Sequence, residues 1–160
     1  MACVVILMGS KSDLPAVSEI AAALDGWDVA CERRVASAHK SARHLLDLLA
    51  GYEASGRVGV YITVAGRSNA LSGVVDANVT APVIACPPYS DRFAGADLYS
   101  SLRMPSGVAP AVVLEPHGAA LLAAKILAAG DPGLRERITA MQRAQTEQVL
   151  AADEEMSQNP

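Results

Sequence analysis

The sequence predicts an α/β fold: a three-layer α/β/α sandwich in which a five-stranded parallel sheet lies between helices, with a C-terminal helix packing on a neighbouring subunit. Three observations predict it. Four short runs are apolar almost throughout, as strands covered on both faces must be, and a fifth, Asp28 to Val35, is strand-like but mixed in polarity. Each run is followed by turn-forming or small residues, and most then by apolar positions at helical spacing, so strand and helix alternate along the chain. Of the 160 residues 51% are hydrophobic but only 4% aromatic, so the core is built from closely packed Ala, Val, Leu and Ile.

Cys3 to Met8 is the first apolar run. Gly9-Ser10-Lys11-Ser12-Asp13 stops it, and Leu14, Val17, Ile20, Ala21 and Leu24 then recur at helical spacing. Asp28 to Val35 reads as the second strand, and Ala42, Leu45, Leu46, Leu49 and Tyr52 mark the face of the second helix, with His44 beside that stripe and partly exposed. Gly59 to Val64 is the third strand, and Ala65-Gly66-Arg67-Ser68-Asn69 turns into a short helix through Val75. Pro82 to Cys86 is the fourth, ended by Pro87-Pro88. From Tyr89 to Gly107 turn residues and mixed charges predict a mobile loop over a site.

Ala111 to Leu114 is the fifth strand, and Glu115-Pro116-His117-Gly118 opens a helix from Ala119 to Ala129 that is apolar nearly all round. Such a helix is expected to be buried between subunits. Gly130-Asp131-Pro132-Gly133 interrupts the chain before a final amphipathic helix carrying Leu134, Ile138, Met141, Val149 and Leu150; Asp153 to Pro160 reads as a frayed tail. Residues 1–130 form the domain and 131–160 its C-terminal helix and tail. The right-handed crossover rule favours a flavodoxin-like strand order.

The net charge of −4 and a pI near 5.3 give no basic footprint, which argues against nucleic acid and membrane surfaces as partners. A small molecule fits better. The mean hydropathy of +0.25 implies more apolar surface than a small monomer hides, so a homo-oligomer is expected. Cys3, Cys31 and Cys86 lack CxxC or Cys/His metal spacing and read as buried apolar residues of a reducing compartment. The start, Met1 to Met8, has no basic region and breaks at Gly9, too short for a signal peptide or a span, so a cytoplasmic location is expected.

In a doubly wound sheet, ligands bind beyond the carboxyl ends of the strands where the strand order reverses. There Gly9, Ser10, Ser12 and Asp13 offer a turn, two hydroxyls and a helix N-terminus able to cradle a phosphate, with Asp13 free for ribose hydroxyls. The plainer reading is that Ser12 or Asp13 only caps a helix. Val35 to Lys40 ends a strand and begins a helix, and Ser37 and Ala38 allow close approach of a ligand. His39 beside a helix N-terminus is expected to stay neutral and accept a proton, while Lys40 in the first helical turn opposes the dipole unless an anion is present. As a pair they also read as a loop histidine and a surface charge.

Gly66-Arg67-Ser68-Asn69-Ala70 resembles a degenerate nucleophile elbow, with Asp91 or Asp97 and then His117 following in triad order, so a serine hydrolase using Ser68 stays open. Against it stand Ala70 where a glycine is expected, the lack of an oxyanion-loop motif, and the short chain.

Taken together, Gly9-Ser10-Lys11-Ser12-Asp13, Ser37-Ala38-His39-Lys40, Ala65 to Gly73, Pro82 to Pro88 and Ser100 to Gly107 resemble the PurE family of purine biosynthesis, in order from about Val4 to Leu127. The resemblance implies action on aminoimidazole ribonucleotide, AIR, by one of two routes: class I members are mutases that move a carboxylate from the exocyclic nitrogen of N5-carboxy-AIR to C4, and class II members carboxylate AIR with CO2. Class I loops carry a histidine in the third loop and Arg after the Ser-Ala-His. Arg67-Ser68-Asn69 without a histidine, Lys40, and Ser101-Leu102-Arg103-Met104-Pro105 resemble class II. An AIR carboxylase is therefore implied, with His39 and Lys40 catalytic, and with Gly9, Ser10, Ser12, Asp13, Ser37, Ala38, Gly66, Arg67, Ser68, Asn69 and Leu71 at the substrate. Arg67 and Arg103 are weaker candidates for a positive neighbour of the carboxylate. CO2 is the co-substrate, no metal, ATP or biotin is expected, and the resemblance implies an octamer.

Overall fold

The computed structural model describes residues 2–91 and 93–158. Met1, Arg92, Asn159 and Pro160, which fall within the start, the loop and the tail read above, lie outside the described residues.

Five strands, β1 (Cys3–Met8), β2 (Cys31–Val35), β3 (Val58–Val64), β4 (Val83–Ala85) and β5 (Ala111–Val112), form one sheet in the order β2-β1-β3-β4-β5. Every pairing is parallel. This is the flavodoxin-like order, with its reversal between β1 and β3. The central strands β1 and β3 are buried nearly end to end, which explains their continuous apolar sequence.

Alternate residues of β1 divide between two cores. Val4, Ile6 and Met8 meet α1 (Leu14–Asp25), α5 (Pro116–Leu127) and the start of α6 (Pro132–Gln158). Cys3, Val5 and Leu7 meet α2 (Ala42–Ser55) and α3 (Ala70–Asp76) on the other face. The three layers predicted from periodicity are thus present. Gly56 closes α2 in the left-handed conformation, where glycine avoids the Cβ penalty.

The structure corrects several expectations. β2 is shorter than expected and lies at the edge, so Arg33, Arg34 and Val35 are exposed and Cys31 is only half-buried. His44 is exposed. The apolar helix buries one stripe, Ala119, Ala120, Ala123 and Ala124, against α1 and β3 of its own chain, since four small residues let the helix approach closely. Leu121, Leu122, Ile126 and Leu127 remain half-exposed.

α6 begins on the body, burying Leu134 and Ile138, and continues as a helix through Gln158, with Val149, Leu150 and Met156 exposed. The stretch expected to fray is therefore helical up to Gln158. Arg135 joins the two last helices by donating to the carbonyls of Ala128 and Ala129 at the end of α5. The segment from Tyr89 to Gly107 is not a plain loop. It holds a 3₁₀ turn at Ala96–Leu98 and a short helix, α4 (Tyr99–Leu102).

Candidate active site

The loops after β1, β2 and β3 converge at the carboxyl edge of the sheet around a cleft of about 760 Å³. Each loop is shaped by its own polar side chains. After β1, the Ser10 hydroxyl accepts the Ser12 N–H at 3.2 Å and the Asp13 carboxylate accepts the Ser10 N–H at 2.9 Å. This capping box forms a 3₁₀ turn, Lys11–Asp13, before Pro15 enters the first turn of α1. The Ser10 and Ser12 hydroxyls also touch one another. A Cβ on Gly9 would sit 3.4 Å from Ala65 Cβ, so a larger residue would crowd the junction of the first and third loops.

After β2, the Ser37 hydroxyl accepts the Lys40 N–H at 3.2 Å, and the Ser41 hydroxyl accepts the Ser37 N–H at 2.9 Å. Ser41 is the N-cap of α2, so His39 and Lys40 stand in the turn ahead of the helix rather than in its first turn. Both side chains are exposed at the cleft.

After β3, Arg67 has φ +57°. Its N–H donates to Asp97 Oδ2 at 3.2 Å and its carbonyl accepts the Ser100 hydroxyl at 2.9 Å. Asn69 caps α3 by accepting the Ser72 N–H, and its amide donates to the buried Ser101 hydroxyl at 2.9 Å. The chain of buried polar groups continues from Ser72 to Thr63 Oγ1 at 2.8 Å, and every member is partnered. Cys86 ends β4 buried, and desolvation together with Glu115 and Glu19 pushes its thiol up to about 11, so it is an inert core residue.

The family model described as AIRC, AIR carboxylase, matches residues 3–148. The chain belongs to the AIR carboxylase family. Its structure resembles the crystal structure of Treponema denticola PurE with a TM-score of 0.94, at 48% sequence identity, over 97% of this chain and 98% of that one. A phosphoribosylaminoimidazole carboxylase of Archaeoglobus fulgidus is 52% identical over 152 residues, 95% of this chain and 83% of that protein. One of Treponema denticola is 48% identical over 153 residues, 96% of each.

Within this AIR carboxylase fold, twelve of the thirteen residues expected at the site line the one cleft. Asn69 is the exception. It is 3% exposed and turned into the framework, because the cap of α3 and the bond to Ser101 consume its amide. Asp13 is also less free than expected, since one of its oxygens holds the Ser10 N–H. Arg67 reaches the cleft, whereas Arg103 lines a separate cavity of about 440 Å³ between α3 and the segment after α4.

Tyr89, Ser90 and Asp97 complete the cleft and were not read as substrate-lining from sequence. Tyr89, 94% exposed, follows the Pro87-Pro88 wall, and an aromatic just past such a wall was the available signal. The hydrolase arrangement does not form. Asp97 is engaged by a backbone N–H, and His117 is exposed in the first turn of α5 and does not line the cleft.

Among the described residues no three His, Cys, Asp or Glu side chains group as a metal site, and no helix is long and apolar enough to cross a membrane.

Proposed function

We propose that this member of the family is an AIR carboxylase, adding CO2 to C4 of 5-aminoimidazole ribonucleotide to give 4-carboxy-5-aminoimidazole ribonucleotide in a reversible step of purine biosynthesis. The observation that carries the reading is the convergence of Ser10, Ser12, Ser37, His39, Lys40 and the histidine-free Gly66-Arg67-Ser68 turn on one cleft. The names of the Archaeoglobus and Treponema relatives support carboxylase over mutase.

The hydroxyls of Ser10, Ser12 and Ser37 take the phosphate, since each is at a turn that ends a strand and precedes a helix. Asp13 takes the ribose through its second oxygen. C4 of the aminoimidazole is an enamine carbon and nucleophilic without covalent activation. Its electron pair attacks the carbon of CO2, and one C–O π pair moves to oxygen as the new carboxylate. C4 is then tetrahedral and still bears its proton. His39 removes that proton, the C–H pair returns to the ring, and aromaticity is restored. Lys40 offers the positive charge that the carboxylate calls for, and CO2 is held by close packing and backbone N–H groups of the loop after β3. We assign no metal, ATP or biotin to this step, because the substrate carbon supplies the electron pair.

The same reading takes the protein as a cytoplasmic homo-oligomer, an octamer by the family resemblance, with exposed Val149, Leu150 and Met156 of α6 among the surfaces that association would cover.

A paired assay tests the function: purified protein receives AIR plus bicarbonate-derived CO2 in one arm and N5-carboxy-AIR in the other. Turnover of AIR with first-order dependence on CO2 is expected. Turnover of N5-carboxy-AIR alone would make the protein a mutase and remove the class meaning of Arg67-Ser68-Asn69.

A further inference from the structure

We propose that Asp97 and Ser100 are positioning residues, which hold Arg67 in its left-handed conformation and thereby aim the backbone N–H groups that the loop after β3 offers to the incoming carboxyl group. The inference rests on the carboxylase reading.

A non-glycine residue at φ +57° is held against its own preference and persists only where its surroundings over-determine it. Here they do. The Arg67 N–H is taken by Asp97 Oδ2 at 3.2 Å, the Arg67 carbonyl by the Ser100 hydroxyl at 2.9 Å, whose single proton is shared with the Asp97 carbonyl at 2.8 Å, and the Asn69 N–H by the same hydroxyl oxygen at 2.9 Å. The Ser68 carbonyl accepts the Ala70 N–H at 2.9 Å. Both sides of the turn are thus pinned by groups some thirty residues further along the chain.

Among the described residues, Gly66 and Ser68 are left with backbone N–H groups that have no protein partner. These residues flank Arg67, and both line the cleft. Their donors are what the loop can give to an oxygen that becomes negative when CO2 turns into carboxylate, and donors fixed beforehand stabilise such charge without reorganising. The φ of Arg67 sets the angle between the two donors. Asp97 also lines the cleft, yet a carboxylate aimed at a developing carboxylate would repel it. Spent on the Arg67 N–H, it orders the turn instead.

The test combines kinetics and crystallography on the full-length protein. Asp97→Ala is expected to lower kcat/KM for CO2 by about 10- to 100-fold, the range of a misplaced binding group. AIR affinity by calorimetry is expected to stay at the wild-type value, and the crystal structure to show Arg67 out of the left-handed region. Asp97→Asn keeps an acceptor oxygen and is expected to restore most of the CO2 kinetics, which a charge acting directly would not allow. Ser100→Ala is expected to give the same split and carries the test if Asp97→Ala does not fold.

Equal losses in Asp97→Ala and Asp97→Asn, a loss confined to AIR affinity, or an unmoved Arg67 with wild-type CO2 kinetics would overturn the proposal. Failure of the wild type itself to carboxylate AIR overturns the underlying reading, while the Arg67 conformation in the variants still reports on the clamp.

Discussion

The Ser37 hydroxyl accepts the Lys40 backbone N–H at 3.2 Å, closing a turn that carries Ala38 and His39 ahead of the N-cap of α2. The lone pair so used leaves the hydroxyl proton for an anion. One side chain therefore both shapes the loop that presents the proposed base and serves the proposed phosphate.

Replacing Ser37 by Ala removes both. A hydrogen bond to a charged group is worth about 1.5–3 kcal/mol, so KM for AIR should rise roughly 10- to 100-fold in steady-state assays. The thermal midpoint should fall only slightly, because the Ser41 hydroxyl still accepts the residue-37 N–H. A variant with wild-type KM would show that the phosphate lies elsewhere.

His39→Asn keeps a polar group of similar size at the exposed turn but cannot take the C4 proton. Positioned proton transfer contributes on the order of 100- to 10,000-fold, so carboxylation should fall at least about 100-fold while calorimetric AIR binding persists. Near wild-type turnover would remove His39 from the chemistry.

Much of this site was legible in the sequence because it is made of strand ends. A strand covered on both faces must be a continuous apolar run, so Met8 and Val64 mark where two of the loops begin, Val35 closes the mixed edge strand before the third, and a doubly wound sheet sends those loops to one edge. Side-chain direction was not legible. Asn69 sits in sequence among cleft residues, but its amide can satisfy a helix cap and Ser101 at once, and a partner thirty-two residues away leaves no local trace. The same holds for Asp97, whose acceptor role appears only when the short helix α4 folds onto the loop. β2 was overestimated because periodicity does not report which strand is an edge.

Labelling offers a direct check on the rejected triad. Ser68 is exposed at the cleft, Asp97 is occupied by Arg67, and His117 does not reach the cleft lining. Among the described residues the Ser68 hydroxyl makes no hydrogen bond to a histidine or carboxylate, and a serine not so activated is a weak nucleophile. A fluorophosphonate probe should leave the intact protein unmodified by mass spectrometry, and stoichiometric labelling at Ser68 would reopen the hydrolase.

Glu53 ties α2 to the sheet and to the turn before β4. Burial would raise its carboxyl, but the Thr80 N–H and hydroxyl and the Tyr61 hydroxyl outweigh that and hold it below its ordinary value. A carboxyl lowered by folding stabilises the folded state fully above its unfolded value, about 4.3, and loses that stabilisation as pH falls through the lower folded value. Glu53→Gln should therefore be less stable than the wild type at neutral pH, with the difference shrinking below about pH 4 in urea titrations. A difference independent of pH would mean that shape, not charge, matters there.

Gly59 in β3 packs where α5 crosses the sheet. A Cβ there would overlap Leu127 Cδ2 and lie 2.9 Å from Ala2 Cβ. Leu127 is half-exposed and can turn its end aside, so overpacking should cost about 1–3 kcal/mol rather than abolish folding. Gly59→Ala should lower the urea midpoint without changing the slope. Leu127→Ala added to it removes the overlapping methyl, so the double variant should be more stable than the sum of the two single losses predicts. Strict additivity would place the strain at Ala2, where the chain enters β1 beside β3, since those atoms are untouched by the second change.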